Sequence, residues 1–110
     1  MLIHWYVYLA WFFAGAFFVN SIPHTVQGLS GNRFQTPFAS PPGVGESSAI
    51  LNVIWGLANF TAGGVLLHVF FPPELPPPWP LCIAALIGAL AMALRLASHF
   101  GKVRSAPPHP

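Results

Sequence analysis

Formal charge is scarce in this chain of 110 residues, which has four Lys and Arg residues and two acidic residues. Charged residues make up 5% of the sequence, whereas apolar residues make up 55%. Soluble domains carry about 25% charged residues, so this chain has too few of them to cover a water-facing surface. A nucleic-acid-binding face needs a cluster of basic residues, which is also lacking. We therefore expect a membrane protein without a nucleic-acid partner, for which the lipid bilayer is the main solvent.

Cysteines and carboxylates are equally few. The single cysteine, Cys82, excludes a disulfide within the chain. The two carboxylates, Glu46 and Glu74, are expected on opposite sides of the membrane, where they cannot act as an acid–base pair. No serine or histidine lies in a recognisable nucleophile motif. The sequence therefore favours a protein without enzymatic activity and predicts no cofactor.

Long apolar runs are the main feature that is present, at residues 2–19, 49–71 and 79–100. Each is long enough to cross a hydrocarbon core of about 30 Å as a helix, if only just in the first case. The first run does not start with Lys or Arg, so we expect a first span and not a cleaved signal peptide. These runs predict an all-α membrane protein that forms one unit over residues 1–110.

Proline and glycine define the predicted connections. Residues 20–48 are rich in both, and the Ile22-Pro23 pair is expected to end the first helix near Asn20. Phe34 and Phe38 favour an ordered loop, because a disordered linker contains few aromatic residues. Ser48 is a candidate N-cap for the second helix. Gly101 is expected to end the third helix, leaving a short tail at residues 101–110.

Basic residues predict how the chain lies in its membrane. Arg33, Lys102 and Arg104 fall at the end that holds the 20–48 loop, and no Lys or Arg falls at the other end. By the positive-inside rule, the N-terminus is outside, and the 20–48 loop and the C-terminus are cytoplasmic. We expect a bacterial inner membrane as the location.

Two helix faces are predicted to pack against protein. On the second helix the face combines amides with glycines: Asn52, Gly56, Asn59 and Gly63. Amides that face acyl chains would stay unpaired, so this face is either a helix–helix seam, which we favour, or the wall of a polar pocket. On the third helix a stripe of small residues permits close contact: Ala85, Ala89 and Ala93. Two contact faces favour a homo-oligomer or an accessory subunit of a larger membrane complex.

A second hypothesis is a binding or transport module for a small molecule or a lipid. Its candidate ligand-binding residues lie in the loop and at the adjoining helix ends: His24, Gln27, Arg33, Glu46, Asn52 and Arg95. Arg95 has two interpretations. It forms an ion pair with Glu46, or it extends its guanidinium to the lipid headgroups, which we favour.

Histidines suggest a third hypothesis, a haem- or quinone-linked redox subunit. His4 and His68 are expected near one membrane face, and His24 and His99 near the other. Pairs of histidines across a helical bundle resemble the ligands of a bis-histidine haem or metal site. Because no His-x3-His or Glu-x-x-His motif accompanies them, the sequence predicts no metal site.

Overall fold

Three long helices make up most of the protein. The computed structural model describes residues 2–105, with α1 at Trp5–Leu29, α2 at Ala49–Val69 and α3 at Trp79–Arg104. At 1.5 Å per residue, these helices are about 38, 32 and 39 Å long. The prediction of a mostly helical chain with three helices long and apolar enough to span a membrane is confirmed. Between α1 and α2, the chain also forms two short strands, β1 (Phe34–Gln35) and β2 (Glu46–Ser47), which pair antiparallel.

Helix α1 is the central helix, since α2 and α3 both pack against it and hardly touch each other. At one end, the Trp11 indole N–H donates to the carbonyl oxygen of Phe70 at 3.2 Å, which joins the start of α1 to the end of α2. At the other end, Arg104 of α3 donates to Gln35 of β1 at 3.1 Å. We call this second end, which holds residues 30–48 and the end of α3, the loop end.

Close backbone approach characterises the contact between α1 and α3. A Cβ atom added to Gly15 would overlap the carbonyl oxygen of Ala85, and one added to Gly88 would overlap that of Phe12. Glycine is therefore required at both positions, and Ala85 and Gly88 lie on the α3 face that meets α1. Small residues let two apolar helices approach in this way without a bulky side chain between them.

The contact between α1 and α2 combines glycines with amides. The buried residues of α2 are the four that share the predicted face: Asn52, Gly56, Asn59 and Gly63. A Cβ atom on Gly56 would overlap the Thr25 side chain, so the two backbones lie close together there. Asn59 accepts a hydrogen bond from Asn20 Nδ2 at 2.9 Å across the interface. Both asparagines of this face are thus buried in protein, with relative exposures of 0% for Asn52 and 3% for Asn59.

The predicted end of the first helix at Asn20 is wrong, because α1 continues through Pro23 to Leu29. Proline lacks an N–H group and cannot bond to the carbonyl four residues earlier, which normally disfavours a helix interior. The residues after Pro23 nevertheless pack against protein, and His24 and Gly28 are both buried. A Cβ atom on Gly28 would lie 2.7 Å from the Ala49 carbonyl oxygen, so α2 presses directly on this extension. Packing against α2 therefore outweighs the local effect of proline.

Of the two other predictions about helix ends, one is confirmed and one is wrong. Ser48 caps α2, as predicted, and its hydroxyl accepts from the Leu51 N–H at 3.1 Å. The predicted end of the third helix at Gly101 is wrong, since α3 runs through Gly101 to Arg104. Nothing lies within 4 Å of a Cβ atom added to Gly101, so this glycine neither breaks the helix nor packs closely. The rest of the predicted tail, residues 106–110, lies outside the described residues.

Candidate functional site

A cavity of about 330 Å³ lies at the loop end, between α1, α3 and the chain that connects α1 to α2. We call it the His24–Arg95 cavity. His24 comes from α1, Trp55 from α2 and Arg95 from α3, while Thr36 and Gly43 belong to the connection. All three helices and the connection therefore contribute a wall.

The connection folds back on itself before it reaches α2. Phe34 pairs with Ser47 and Gln35 with Glu46 in the short sheet. The hydroxyls of Thr36 and Ser47 are 2.5 Å apart and buried, which ties the two halves of the connection together. The Phe34 side chain is 4% exposed, so it fills the space under the sheet. These contacts position Thr36 as one wall of the cavity.

Asn52 supports the cavity from behind. Its Nδ2 group faces three carbonyl oxygens, of Phe34 at 3.1 Å, Ser47 at 3.2 Å and Ser48 at 3.0 Å. Because Nδ2 can only donate, this arrangement fixes the orientation of the amide. Its Oδ1 atom then faces His24 Nδ1 at 2.9 Å, and the ring nitrogen must donate. One amide thus holds both the connection and the His24 ring in place.

His24 presents its second ring nitrogen without a partner in the part of the chain that the structure describes. Since Nδ1 carries the proton, Nε2 of the neutral ring has a free lone pair. The side chain is 3% exposed and meets the edges or faces of Phe34, Trp55 and Phe100 at centroid distances of 5.6, 6.4 and 6.3 Å. The ring is therefore confined by aromatic groups while it lines the cavity.

The α3 wall of the cavity carries the charge. It is formed by residues three and four positions apart on one helical face: Met92, Arg95, Leu96, His99 and Phe100. His99 Nε2 lies 2.6 Å from the Gly43 carbonyl oxygen and donates to it, because a carbonyl can only accept. Arg95 forms no ion pair and no side-chain hydrogen bond within residues 2–105. No carboxylate lines the cavity in this described part of the chain, so its electrostatic character is basic.

Arg104 joins the end of α3 to the connection just outside the cavity. Its guanidinium donates to Gln35 Oε1 at 3.1 Å, lies 3.8 Å from Glu46 Oε2, and sits 5.0 Å from the ring centre of Phe34. The ion pair is exposed, with 45% and 44% of the two side chains accessible, so its contribution to stability is below about 1 kcal/mol. Its main consequence is that the Glu46 carboxylate is paired with Arg104.

The residues predicted to bind a ligand divide into two groups in the structure. His24 and Arg95 line the cavity, and Asn52 contacts His24 from behind. The other three lie outside the cavity: Gln27, Arg33 and Glu46. Gln27 accepts from the exposed Asn32 side chain at 2.9 Å, and Arg33 donates to the Glu46 carbonyl oxygen at 3.0 Å. The alternative in which Arg95 pairs with Glu46 is not observed, since Arg104 occupies that position.

The predicted packing residues and histidines lie in different parts of the fold. Ala85 faces α1 beside Gly15, whereas Ala93 is exposed on the same helix and borders a groove outside the cavity. His4 stacks on Tyr6 at 5.1 Å, at the end of the bundle away from the cavity. Within residues 2–105, no group of three or more His, Cys, Asp or Glu side chains is arranged to hold a metal ion.

Several residues that form the cavity were not predicted from the sequence, notably Thr36, Leu96 and Phe100. The spacing of the α3 residues was the available indication, because Leu96 and Phe100 follow Arg95 on one helical face. Thr36 lies in an irregular segment where no periodicity exists, so its position could not be predicted.

No protein-family model, curated protein or solved structure matches this chain. The class of protein is therefore defined by its own fold, which is mostly helical with three helices long and apolar enough to span a membrane. The His24–Arg95 cavity brings side chains of all three helices together.

Proposed function

We propose that this chain is a three-span integral membrane protein that binds a small anionic molecule in the His24–Arg95 cavity. The outward faces of the helices support the membrane part of the proposal. Large apolar side chains are uncovered on each helix, including Phe13 at 49%, Phe60 at 57% and Leu90 at 59% exposure. Water would disfavour so much exposed apolar surface, whereas acyl chains cover it without cost.

The proposed orientation is N-terminus outside, with the loop end and the C-terminus in the cytoplasm. Arg33, Lys102 and Arg104 lie at or near the loop end, and the segment that joins α2 to α3 has no basic residue. This asymmetry supports the positive-inside arrangement of a bacterial inner membrane. The cavity then lies at the cytoplasmic side. Arg95, which lines it, is about 14 Å from Arg104 along the axis of α3.

Charge is the observation that carries the ligand proposal. Arg95 lines the cavity with its guanidinium unpaired within residues 2–105, and no carboxylate of that part of the chain faces it there. A carboxylate or phosphate group satisfies such a guanidinium with charge-assisted hydrogen bonds, which are about twice as strong as neutral ones. The aromatic rings of Trp55 and Phe100 form apolar walls next to this charge. A small anion with an apolar part fits both features.

The other predicted functions have weaker support. A quinone is neutral and cannot form with the Arg95 guanidinium the charge-assisted hydrogen bonds that an anion forms. For a haem with two histidine ligands, the second histidine of the cavity lining is His99, whose Nε2 donates to the Gly43 carbonyl oxygen and leaves only Nδ1 as a ligand atom. Association into a homo-oligomer or a larger complex is a separate proposal, supported by the uncovered apolar helix faces, which a neighbouring subunit covers as well as lipid does. The molecular mass of the protein in mild detergent, measured by light scattering, distinguishes a single chain covered by lipid from an assembly of several subunits.

Binding of inorganic phosphate tests the proposal directly. The protein is prepared in neutral maltoside micelles with ¹⁵N-labelled tryptophan, and the Trp55 indole resonance is followed as phosphate replaces chloride at constant ionic strength. We expect a saturable shift. In R95Q the affinity should fall by about tenfold or more, since a hydrogen bond to a charged group contributes about 1.5–3 kcal/mol.

Arg33→Gln is the matched control, because Arg33 is a basic residue of the same end that does not line the cavity. It should titrate as the wild-type protein does. The absence of a saturable shift in the wild-type protein, or equal titrations of wild type and R95Q, would contradict the proposed function.

A further inference from the structure

An apolar groove of about 270 Å³ lies between α1 and α3 on the outside of the bundle. Its walls come from Val19, Ile22 and Pro23 on α1 and from Ala93 and Ala97 on α3. None of these side chains has a hydrogen-bonding group. The groove is open and faces the direction in which the proposed bilayer lies, so a strand of hydrocarbon is the chemistry that fits it.

The groove adjoins the His24–Arg95 cavity through two shared side chains. Leu96 and Phe100 line both spaces. The two spaces also lie at the same level of α3, since residues 92–100 contribute to the cavity and residues 93–100 to the groove. The Phe100 ring is in turn close to Phe34, at a centroid distance of 4.7 Å, and to His24. A basic polar space and an apolar groove thus meet along one pair of side chains.

We propose that the ligand of the cavity is an anionic lipid, whose headgroup lies beside Arg95 and whose acyl chain leaves along Leu96 into the groove. This inference rests on the proposed function and specifies its ligand. Two observations support it: the lack of a carboxylate in the described lining, which complements an anionic headgroup, and the position of the cavity next to a groove lined by apolar side chains, with Leu96 and Phe100 shared by both.

The two spaces have different roles in binding. Because bulk lipid is as apolar as the groove, the acyl chain gains little free energy by entering it. Affinity and selectivity come from the headgroup and its contact with Arg95. The groove is needed because a headgroup inside the cavity requires a path for its chain back to the bilayer. Blocking the groove therefore excludes a lipid but leaves room for a free anion.

Lipid retention tests the inference. The full-length protein is placed in nanodiscs with equal amounts of phosphatidylcholine and phosphatidylglycerol, released into the gas phase, and examined by native mass spectrometry. We expect one phosphatidylglycerol to be retained in preference to phosphatidylcholine. Ala97→Phe fills the groove from an exposed helix position and should reduce this retention by about tenfold, which corresponds to 1.4 kcal/mol. Ala91→Phe, an exposed position of α3 outside the groove, should retain the lipid as the wild type does.

The phosphate titration of the previous section separates the two proposals. Ala97→Phe should keep the phosphate-dependent shift of the Trp55 resonance although it loses the lipid. If Ala97→Phe retains phosphatidylglycerol normally, or if the wild type does not prefer it, the lipid proposal is overturned while an intact phosphate titration leaves anion binding standing. If Ala97→Phe instead converts a dimer into a monomer with unchanged lipid retention, a second copy of the chain occupies the groove and the lipid proposal is also wrong.

Discussion

Replacement of Asn52 by leucine should destabilise the protein, because this buried side chain forms hydrogen bonds with two separate parts of the chain. The side chain is fully buried, with 0% exposure, and links α2 to His24 and to the connection. Leucine keeps most of the volume but cannot replace the hydrogen bond from His24 Nδ1 at 2.9 Å or the bond to the Phe34 carbonyl at 3.1 Å. A buried donor left without a partner costs about 1–3 kcal/mol, and polar bonds between membrane helices contribute about 0.6–2 kcal/mol each. We expect the free energy of unfolding to fall by about 2–4 kcal/mol.

Unfolding by dodecyl sulfate in maltoside micelles measures this change. The helical circular dichroism signal gives the free energy of unfolding for the wild type and for each variant. Asn32→Ala is the control, because Asn32 makes an exposed hydrogen bond to Gln27, and such surface changes stay within about 0.5 kcal/mol.

A double-mutant cycle with His24→Phe identifies the interaction responsible. Each single variant leaves the other polar group buried and unpaired, whereas the double variant removes both. The double variant should therefore be destabilised by about 1 kcal/mol less than the sum of the destabilisations of the two single variants. Two results would refute the reasoning: an Asn52→Leu protein whose free energy of unfolding is within about 0.5 kcal/mol of the wild type, or a cycle in which the two single effects simply add. The limit of about 0.5 kcal/mol is the usual error of additivity.

Two further predictions concern helix packing and capping. Gly88→Val places a side chain on the α1 backbone and should destabilise the protein by about 1–3 kcal/mol in the same unfolding assay. Gly64→Ala, where a Cβ atom meets nothing within 4 Å, should be neutral or stabilising, and equal effects of the two would contradict the close approach. Ser48→Ala removes the cap of α2 and should cost about 1 kcal/mol, whereas Ser48→Asp, which can still accept from the backbone, should not.

Periodicity predicted those features of the fold that depend on one helix at a time. The spacing of Asn52, Gly56 and Asn59 places them on one face of α2, and all three are buried against α1. The separate rule that proline ends a helix fails at Pro23, because the sequence shows the local cost of proline but not the α2 surface that packs against the next turn of α1. Local rules therefore set the helix too short at an end that packs against α2.

The cavity could be predicted only in part, because its walls come from distant parts of the chain. His24 and Arg95 were candidates from their polarity at one membrane level. The contacts that shape the rest join residues far apart: His99 and Gly43 are separated by 56 positions in the sequence, and Arg104 and Gln35 by 69. No pattern within a single helix indicates such pairs. The prediction that Gln27 and Arg33 belong with His24 treated the whole 20–48 segment as one loop, whereas α1 includes Gln27 and carries it away from the cavity.

The central position of α1 has a consequence for how the protein is made. Synthesis proceeds from the N-terminus, so in the proposed membrane arrangement α1 enters the bilayer before either of its two partners exists. During that interval Asn20 and His24 lack the α2 asparagines with which they form hydrogen bonds. Both lie in the last ten residues of α1, within about 15 Å of Leu29 at the helix end. In the proposed orientation they stay close to the cytoplasmic headgroups. Interfacial water can form hydrogen bonds with them there until α2 is synthesised and supplies Asn52 and Asn59.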